Sequence, residues 1–343
     1  MLFVERDIAI DLGTASTLVY VEGKGIALRE STVVAVDKQD GHMLKVGEDA
    51  RRMLGRTPAN IVAVHPISAG VISDYDMTTL MLRELIRRIT SFSLFKPRAI
   101  VCIPSSITGV EERAILDAVV EAGCRRVYLL ESAVATAIGA GLDVSRPNGH
   151  MVVDIGSGTT ETAVVSLNGV VECESIKIAG AAMDEAIVRY IRRKHNILIG
   201  TRTAEDLKKK LGCAVPRPKT EVEEVKGRCL MTGLPRTVTV SSEDLLEALQ
   251  EPVEAIVETV HMVLERTPPE LVADISGNGV VLSGGGSMLY GLEELVTART
   301  GIAARSVDDA LSCTAYGAGK MLARLGEMRD GMINLARRKQ MKG

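Results

Sequence analysis

Short apolar runs recur along this chain, and two of them end in nearly the same way. Residues 8–10 and 151–153 are apolar, and each run is followed by an Asp and then by glycine and hydroxyl residues. This pattern predicts a buried strand that enters a tight turn. A second apolar run follows each turn, at residues 18–21 and 163–165. Each turn is therefore expected to join two strands of a hairpin rather than a strand and a helix.

The two turns have matching sequences. Residues 11–17 read DLGTAST, and residues 154–160 read DIGSGTT. Glycines let backbone N–H groups approach an anion closely, hydroxyls add further donors, and the leading Asp suits a divalent cation that accompanies a phosphate. One such turn is about as often a plain hairpin as a phosphate site. Two matched copies predict two similar half-molecules that face one nucleotide between them.

Helical and strand patterns alternate over the rest of the chain. Apolar residues at helical spacing predict a helix over residues 77–90, with a basic outer face. A long helix is expected over residues 242–266, with Ser242 as its N-cap. Short strand signals mixed with glycine and polar residues predict two small insertions, at about 32–65 and 182–247. The order of elements is that of an α/β protein built from two related halves.

Glu131 lies between a predicted strand at residues 127–130 and an Ala-rich helix at residues 133–140, whose predicted N-cap is Ser132. Two interpretations of Glu131 follow from this position. Its charge can favour the helix dipole, or its carboxylate can face the cleft between the two halves. The residues alone favour neither.

The composition is that of an ordinary globular protein. The chain has 343 residues, enough for two domains with full cores, and its formal charge of −3 gives no reason to expect a nucleic-acid partner. No apolar run is long enough for a transmembrane span, and no signal sequence is recognised at the start. The cysteines are scattered without a CxxC motif, which predicts buried thiols in a reducing cytoplasm. They are Cys102, Cys124, Cys173, Cys213, Cys229 and Cys313.

Phenylalanine is rare and unevenly placed. The chain has no Trp and three Phe residues, and two of them, Phe92 and Phe95, lie in one short segment with Leu94 between a predicted helix and a predicted strand. This segment is either a loop that folds back onto its own domain or an exposed apolar loop that meets a membrane or a partner.

Five segments carry a resemblance to a known family. DLGTAST, LLESAVATAIGAG, DIGSGTT, LSGGGSM and AYGAG occur in the order and at the spacing of the nucleotide-site segments of the actin-like ATPase superfamily. Within it, the chain resembles the MreB family of bacterial actin homologues from about residue 6 to residue 325. The resemblance implies an α/β actin-like fold, in which two RNase-H-like domains flank a nucleotide cleft and each carries a small insertion subdomain. The implied subdomains are IA at 1–31, 66–145 and 315–343, IB at 32–65, IIA at 146–181 and 248–314, and IIB at 182–247.

The resemblance also implies ATP and Mg²⁺ as cofactors and assigns residues to them. Those implied to hold the phosphates are Gly13, Thr14, Ala15, Ser157, Gly158 and Thr159. Asp11 and Asp154 would hold Mg²⁺ through waters. The residues implied on the adenosine side are Gly285, Gly286, Ser287 and Met288, with Glu205 and Lys208 contacting adenine and ribose. Glu131, helped by Thr159, would position or polarise the water that attacks the γ-phosphate.

The chain departs from the family pattern at four places. Ser31 and Thr32 follow Glu30 where the family usually has Pro-Ser. Ser132 and Ala133 stand where the family usually has Glu-Pro, Ser157 stands where it usually has Gly, and Ala181 stands where an acidic residue is common. These departures imply a divergent paralogue that hydrolyses ATP slowly.

The implied function is that of a cytoskeletal ATPase. The chain would form filaments, as paired protofilaments, in the cytoplasm at the inner face of the cell membrane, and would determine rod shape by organising wall synthesis. Phe92, Leu94 and Phe95 would insert into the membrane, with Lys96 and Arg98 near anionic headgroups. A transmembrane filament adaptor and the wall-synthesis complex are the implied partners. The alternatives are a non-polymerising superfamily ATPase, a small-molecule kinase and a chaperone-type ATPase.

Overall fold

The computed structural model describes residues 7–90 and 96–327. The strands of the first half are β1 Ile8–Leu12, β2 Ser16–Val21, β3 Gly25–Ser31, β4 Val34–Asp37, β5 Met43–Val46, β6 Ile61–Val64, β7 Ile67–Ser68, β8 Val71–Ile72, β9 Arg98–Ile103 and β10 Arg126–Glu131. Those of the second half are β11 His150–Ile155, β12 Thr160–Ser166, β13 Gly169–Ile176, β14 Ile197–Leu198, β15 Val222–Cys229, β16 Pro235–Ser241, β17 Val280–Ser283 and β18 Ala304–Ser306.

Helices cover and connect these strands. They are α1 Glu48–Arg51, α2 Tyr75–Thr90, α3 Gly109–Glu121, α4 Ser132–Gly139, α5 Gly180–His195, α6 Thr201–Leu211, α7 Ser242–Arg266, α8 Pro269–Asn278, α9 Leu292–Thr300 and α10 Cys313–Met321. Short 3-10 helices span Gly285–Met288 and Leu322–Glu327. Within the described ranges, none of the helices is both long and apolar enough to cross a membrane.

Two five-stranded sheets share one topology. The first has the order β3-β2-β1-β9-β10, and the second has the order β13-β12-β11-β17-β18. In each sheet, the first three strands in this order form two antiparallel pairs. The last two strands run parallel to the central strand, which is β1 in the first sheet and β11 in the second. The predicted pair of similar half-molecules is therefore confirmed, and both glycine turns are hairpin turns as expected.

Each half also carries a small three-stranded sheet. The first has the order β5-β4-β6 and is accompanied by α1, and the second has the order β14-β15-β16 and is accompanied by α6. Strand β15 was not predicted, because it is rich in charged residues and buries only Val225 and Cys229. These elements lie within the ranges predicted for the two insertions, and the boundaries of the four subdomains remain predictions.

The hydrophobic core has one large cluster in each half and a third cluster between the two sheets. Helices α4 and α10 belong to this third cluster, and their backbones approach closely. A Cβ atom on Gly317 would lie 1.7 Å from the carbonyl oxygen of Ala135, and one on Gly139 would lie 2.0 Å from that of Cys313. Only glycine fits at these positions. Helix α10 packs against β1 and β2 of the first sheet, and α4 packs against β11 and β12 of the second, so the crossing of these helices joins the two sheets.

Two predicted helix caps were wrong by one residue. Helix α7 is capped by Ser241, whose Oγ accepts a hydrogen bond from the N–H of Asp244 at 3.2 Å, while Oδ2 of Asp244 accepts one from the N–H of Ser241 at 2.9 Å. This reciprocal pair is possible only from position 241. Helix α4 begins at Ser132 itself, because β10 runs directly into it and leaves Glu131 at the N-cap position.

Candidate functional site

The two matched turns lie against each other. In the first, the N–H of Gly13 donates to the carbonyl oxygen of Ser16 at 3.1 Å, and in the second, the N–H of Gly156 donates to that of Thr159 at 3.0 Å. A Cβ atom on Gly158 would lie 2.5 Å from Oγ1 of Thr14. Glycine is therefore required at position 158 by the closeness of the other turn.

Different elements support the two turns. Thr32 holds the first turn, because its Oγ1 donates to the carbonyl oxygen of Gly13 at 2.8 Å and its N–H donates to that of Ala15 at 2.9 Å. The start of α5 holds the second turn. There the N–H of Gly180 donates to the carbonyl oxygen of Gly156 at 3.1 Å, and the N–H of Ala181 donates to that of Ser157 at 2.8 Å.

Asp11 and Asp154 occupy equivalent positions at the start of the two turns. Burial raises the pKa of Asp11 to about 6. The pKa of Asp154 is raised to about 7, first by burial and then by the negative charges of Asp11 and Glu161. Burial disfavours the charged form of both carboxylates, and the charge of Asp11 adds to this at Asp154. A cation between the two would stabilise their charged forms.

The two carboxylates suit Mg²⁺ better than a metal ion whose ligands are all protein side chains. Mg²⁺ is usually bound by one or two carboxylates, with phosphate and water oxygens completing an octahedron. Asp11 and Asp154 supply two carboxylates, and residues 7–90 and 96–327 contain no group of three or more His, Cys, Asp or Glu side chains that could hold a metal. No described residue donates a hydrogen bond to the carboxylate of Asp11.

Glu161 was not predicted as a site residue, yet it belongs to this cluster. It lies opposite Asp154 in the β11–β12 ladder and is 6% exposed. Its Oε1 accepts a hydrogen bond from the N–H of Ser105 at 2.9 Å, across the boundary between the two halves, and burial raises its pKa. The sequence did carry a signal, since Glu161 comes seven residues after Asp154, where the first copy has Leu18.

The segment predicted to line the adenosine side lies beside Asp154. Residues Gly285–Met288 form a 3-10 helix. Gly284, which was not predicted, has a φ of 77°, and a Cβ atom on it would lie 2.5 Å from Oδ1 of Asp154. Ser287 is buried and its hydroxyl donates to the carbonyl oxygen of Gly284 at 2.7 Å, whereas Met288 is 67% exposed.

Lys208 and Glu205 lie one turn apart on α6 but have separate partners. Nζ of Lys208 lies 2.7 Å from the carbonyl oxygen of Gly180 and 2.8 Å from Oδ1 of Asp184, so it is fixed against the helix start that supports the second turn. Oε2 of Glu205 lies 2.7 Å from Nη2 of Arg51 in the first half. Asp184 and Arg51 were not predicted as site residues, because each contacts the site through a partner that is distant in sequence.

Glu131 is 7% exposed at the end of β10 and does not cap α4 with its side chain. Burial raises the pKa of Cys173, which lies on the sheet of the second half, and the charges of Glu161 and Glu131 raise it further. Glu131 is therefore near the boundary between the halves, and its catalytic role remains a prediction. Thr159 lies at the second turn, where its Oγ1 would be 3.7 Å from a Cβ atom on Gly70.

The predicted membrane residues Phe92, Leu94 and Phe95 lie outside the described residues. Arg98, expected near anionic headgroups, already has a partner, because its Nε donates to Oδ1 of the buried Asp7 at 3.0 Å. Its side chain is 30% exposed, and its role at a membrane remains a prediction.

Comparisons with known proteins agree over nearly the whole chain. The sequence model of one family, described as MreB/Mbl protein, matches residues 5–330. The cell shape-determining protein Mbl of Bacillus subtilis is 47% identical, over 97% of this chain and 98% of its own length. The cell shape-determining protein MreB of Escherichia coli K12 is 49% identical, over 92% of this chain and 93% of its own length.

Solved structures show the same fold. MreB5 of Spiroplasma citri bound to ADP superposes with a TM-score of 0.91 at 32% identity, covering 94% of this chain and 98% of its own. The same protein bound to AMPPNP gives a TM-score of 0.90. The MamK double helical filament, at 21% identity, gives a TM-score of 0.81 and supports the fold alone. The expected actin-like fold is thereby confirmed.

Proposed function

This chain belongs to the MreB/Mbl family, and we propose that it binds ATP with Mg²⁺ between its two matched turns and forms membrane-associated filaments that determine cell shape. The observation that carries the proposal is the contact of Gly158 with Thr14, with Asp11 and Asp154 at equivalent positions beside it. The relatives named cell shape-determining proteins support the biological role. MreB5, a relative at 32% identity, is described with ADP and with AMPPNP, which supports nucleotide binding.

The turns supply donors and the Asp pair supplies charge. Backbone N–H groups and hydroxyls of the two turns, from Gly13, Thr14, Ala15, Ser157, Gly158 and Thr159, would hold the phosphates. Asp11 and Asp154 would hold Mg²⁺ through waters, and the ion would neutralise charge on the phosphates. Lys208 would add a positive charge close to the second turn.

The adenosine would lie between the two insertions and the 3-10 helix. Gly285, Gly286, Ser287 and Met288 would line one side, and Glu205 would accept from the ribose or adenine. A carboxylate has about four acceptor sites. Glu205 can therefore keep its bonds to Arg51 and Lys209 and still bind a nucleotide hydroxyl.

Hydrolysis requires a water that is aligned on the γ-phosphate. Glu131 would position or polarise this water, with Thr159 beside it, and turnover would be slow and coupled to polymerisation. Ser132, Ser157 and Ala181 stand where the family commonly differs, which supports slow hydrolysis.

Filament assembly would bring the chain to the membrane. Burying one Leu or Phe side chain in the membrane stabilises the bound state by roughly 1.5–3 kcal/mol, which is too little to hold a monomer on the lipid. A filament that presents many copies of Phe92, Leu94 and Phe95 would bind by avidity. We place the filaments in the cytoplasm on the inner leaflet, as paired protofilaments, in contact with a transmembrane adaptor and the wall-synthesis complex.

Electron microscopy of the protein on anionic liposomes tests this function. With ATP and Mg²⁺, paired filaments are expected on the lipid. The Leu94→Ser/Phe95→Ser variant should still form filaments, but these should no longer bind the liposomes in a co-sedimentation assay. Protein that stays monomeric with ATP, or phosphorylates a small-molecule acceptor instead, would support the alternative of a non-polymerising ATPase or kinase.

A further inference from the structure

An ion pair joins the two insertions. Nη2 of Arg51, at the end of α1, lies 2.7 Å from Oε2 of Glu205, on the first turns of α6. The two residues are 154 positions apart in sequence. Their side chains are 34% and 28% exposed, so the pair is partly shielded from water.

Within the described ranges, this pair has no counterpart. No other hydrogen bond or ion pair connects residues 32–65 with residues 182–247. Between the two five-stranded sheets the halves are joined more extensively. There α4 and α10 cross at backbone contact, and Oγ1 of Thr136 lies 2.9 Å from Oγ1 of Thr314.

Each partner of the ion pair is anchored to its own half. Helix α1 is tied to β3, because the N–H of Glu48 donates to Oε2 of Glu30 at 2.9 Å and Oγ of Ser31 donates to Oε2 of Glu48 at 3.0 Å. Helix α6 is tied to α5 by the pair of Lys208 and Asp184 at 2.8 Å. A movement that separates the halves would therefore break the bond between Arg51 and Glu205 rather than bend the helices that carry it.

The insertions also begin at the turns themselves. Thr32, the first residue of one insertion, is bonded to Gly13 and Ala15, and the start of α5, which leads into the other, is bonded to Gly156 and Ser157. The ion pair therefore closes the cleft whose base is formed by the two turns.

We propose that Arg51 is a positioning residue which, through Glu205, clasps the two insertions together over the nucleotide and slows its release. This proposal rests on the proposed function, in which the nucleotide lies between the turns. Release of the nucleotide requires the insertions to separate, so the clasp must open first. Entry into an already open cleft does not require the bond, so Arg51 acts mainly on dissociation.

The test measures release of a fluorescent ATP analogue from the full chain after mixing with excess ATP. Arg51→Ala should speed release about two- to fivefold, as expected for a partly exposed ion pair, and Arg51→Lys should fall in between. Arg52→Ala is the matched control. Arg52 is the next residue, 66% exposed, and its ion pair is with Glu48 on its own helix.

A double-mutant cycle separates the clasp from a general loss of structure. If Arg51 acts through Glu205, Arg51→Ala should add nothing to release in a Glu205→Ala background. Raising the ionic strength should speed release more from the wild type than from Arg51→Ala, because the variant has lost the screened ion pair. Equal release from Arg51→Ala and Arg52→Ala, or further acceleration in the Glu205→Ala background, would overturn the proposal.

A second measurement works without nucleotide. Spin labels at the exposed positions 45 and 206, in a Cys173→Ser background, report the separation of the insertions. Arg51→Ala should shift the distance distribution to longer values, and an unchanged distribution would contradict the clasp. If the wild type binds no ATP analogue, the proposed function fails, while this distance still decides whether the clasp exists.

Discussion

Asp11 and Asp154 occupy the same position in two sheets of the same strand order, but their neighbours differ. Asp11 lies between Leu18 and Cys102 in its sheet, whereas Asp154 lies between Glu161 and Ser283. The pKa of Asp154 is raised further, to about 7 against about 6, because the charges of Asp11 and Glu161 add to the effect of burial. The two halves thus share a backbone framework, while the second half contributes more of the charge at the site.

The largest effect is expected from a substitution at the contact between the two turns, where the two halves meet. Gly158→Val would place side-chain atoms on Thr14, since even a Cβ atom would be 2.5 Å from its Oγ1. We expect ATP affinity to fall about 100-fold, the order of loss that small misplacements cause in preorganised sites. Isothermal titration calorimetry measures this.

Gly109→Ala is the control, because no atom lies within 4 Å of the added Cβ and the residue is not at a turn. Thr14→Ala combined with Gly158→Ala should recover part of the affinity, because it removes the hydroxyl that the new Cβ would meet. Unchanged affinity in Gly158→Val would mean that the nucleotide does not lie between the turns.

The parallel edge strands differ as well, because β10 ends on Glu131 and β18 ends on Ser306. If Glu131 positions the attacking water, Glu131→Ala should bind ATP normally but release phosphate about 10- to 100-fold more slowly, within the range of a positioned acid or base. A coupled phosphate-release assay with saturating ATP measures this. Turnover equal to the wild type would leave Glu131 with its role at the start of α4 alone.

The Asp pair gives the protein without nucleotide a pH dependence. Because the pKa of Asp154 is raised from 3.8 to about 7 on folding, the folded state binds this proton more tightly than the unfolded chain. The stability it contributes is present in full below pH 3.8 and is lost as the pH rises through about 7. Thermal melts between pH 5 and pH 8, an interval of about three units around this pKa, should show the loss.

Asp154→Asn should flatten this decline and, at neutral pH, raise the melting temperature by about 2 °C or more without nucleotide. It should also abolish the stabilisation by Mg²⁺ and ATP. Asp11→Asn should have the smaller effect on the pH dependence, and Asp49→Asn, at an exposed position, should have none. A larger effect from Asp11→Asn than from Asp154→Asn would mean that the pKa of Asp11, not that of Asp154, is raised further.

Glu161→Gln has the smallest expected effect and tests whether the charge of Glu161 raises the pKa of Asp154. The amide oxygen can still accept from the N–H of Ser105, so the change removes mainly a negative charge opposite Asp154. The apparent pKa in the melts should fall by less than about one unit, toward that of Asp11. A rise in that pKa would show that Glu161 does not act on Asp154 by its charge.

Much of the framework could be predicted from local signals. The repeated turn at residues 11–17 and 154–160 gave the two halves and the hairpins, because glycine spacing and apolar runs are short-range features. The positions of Arg51, Asp184 and Ser105 could not be predicted, since each depends on a contact between distant segments. The caps at Ser241 and Glu131 were missed by one residue. The first cap depends on the pairing of Ser241 with Asp244 three residues later, and the second arises because β10 runs directly into α4.

A crystal structure of the chain with AMPPNP and Mg²⁺ tests the central claim most directly. The account predicts phosphates in contact with residues 13–15 of the first half and 157–159 of the second, and a metal ion near both Asp11 and Asp154. A nucleotide held by one half alone, or a metal ion remote from the Asp pair, would contradict it.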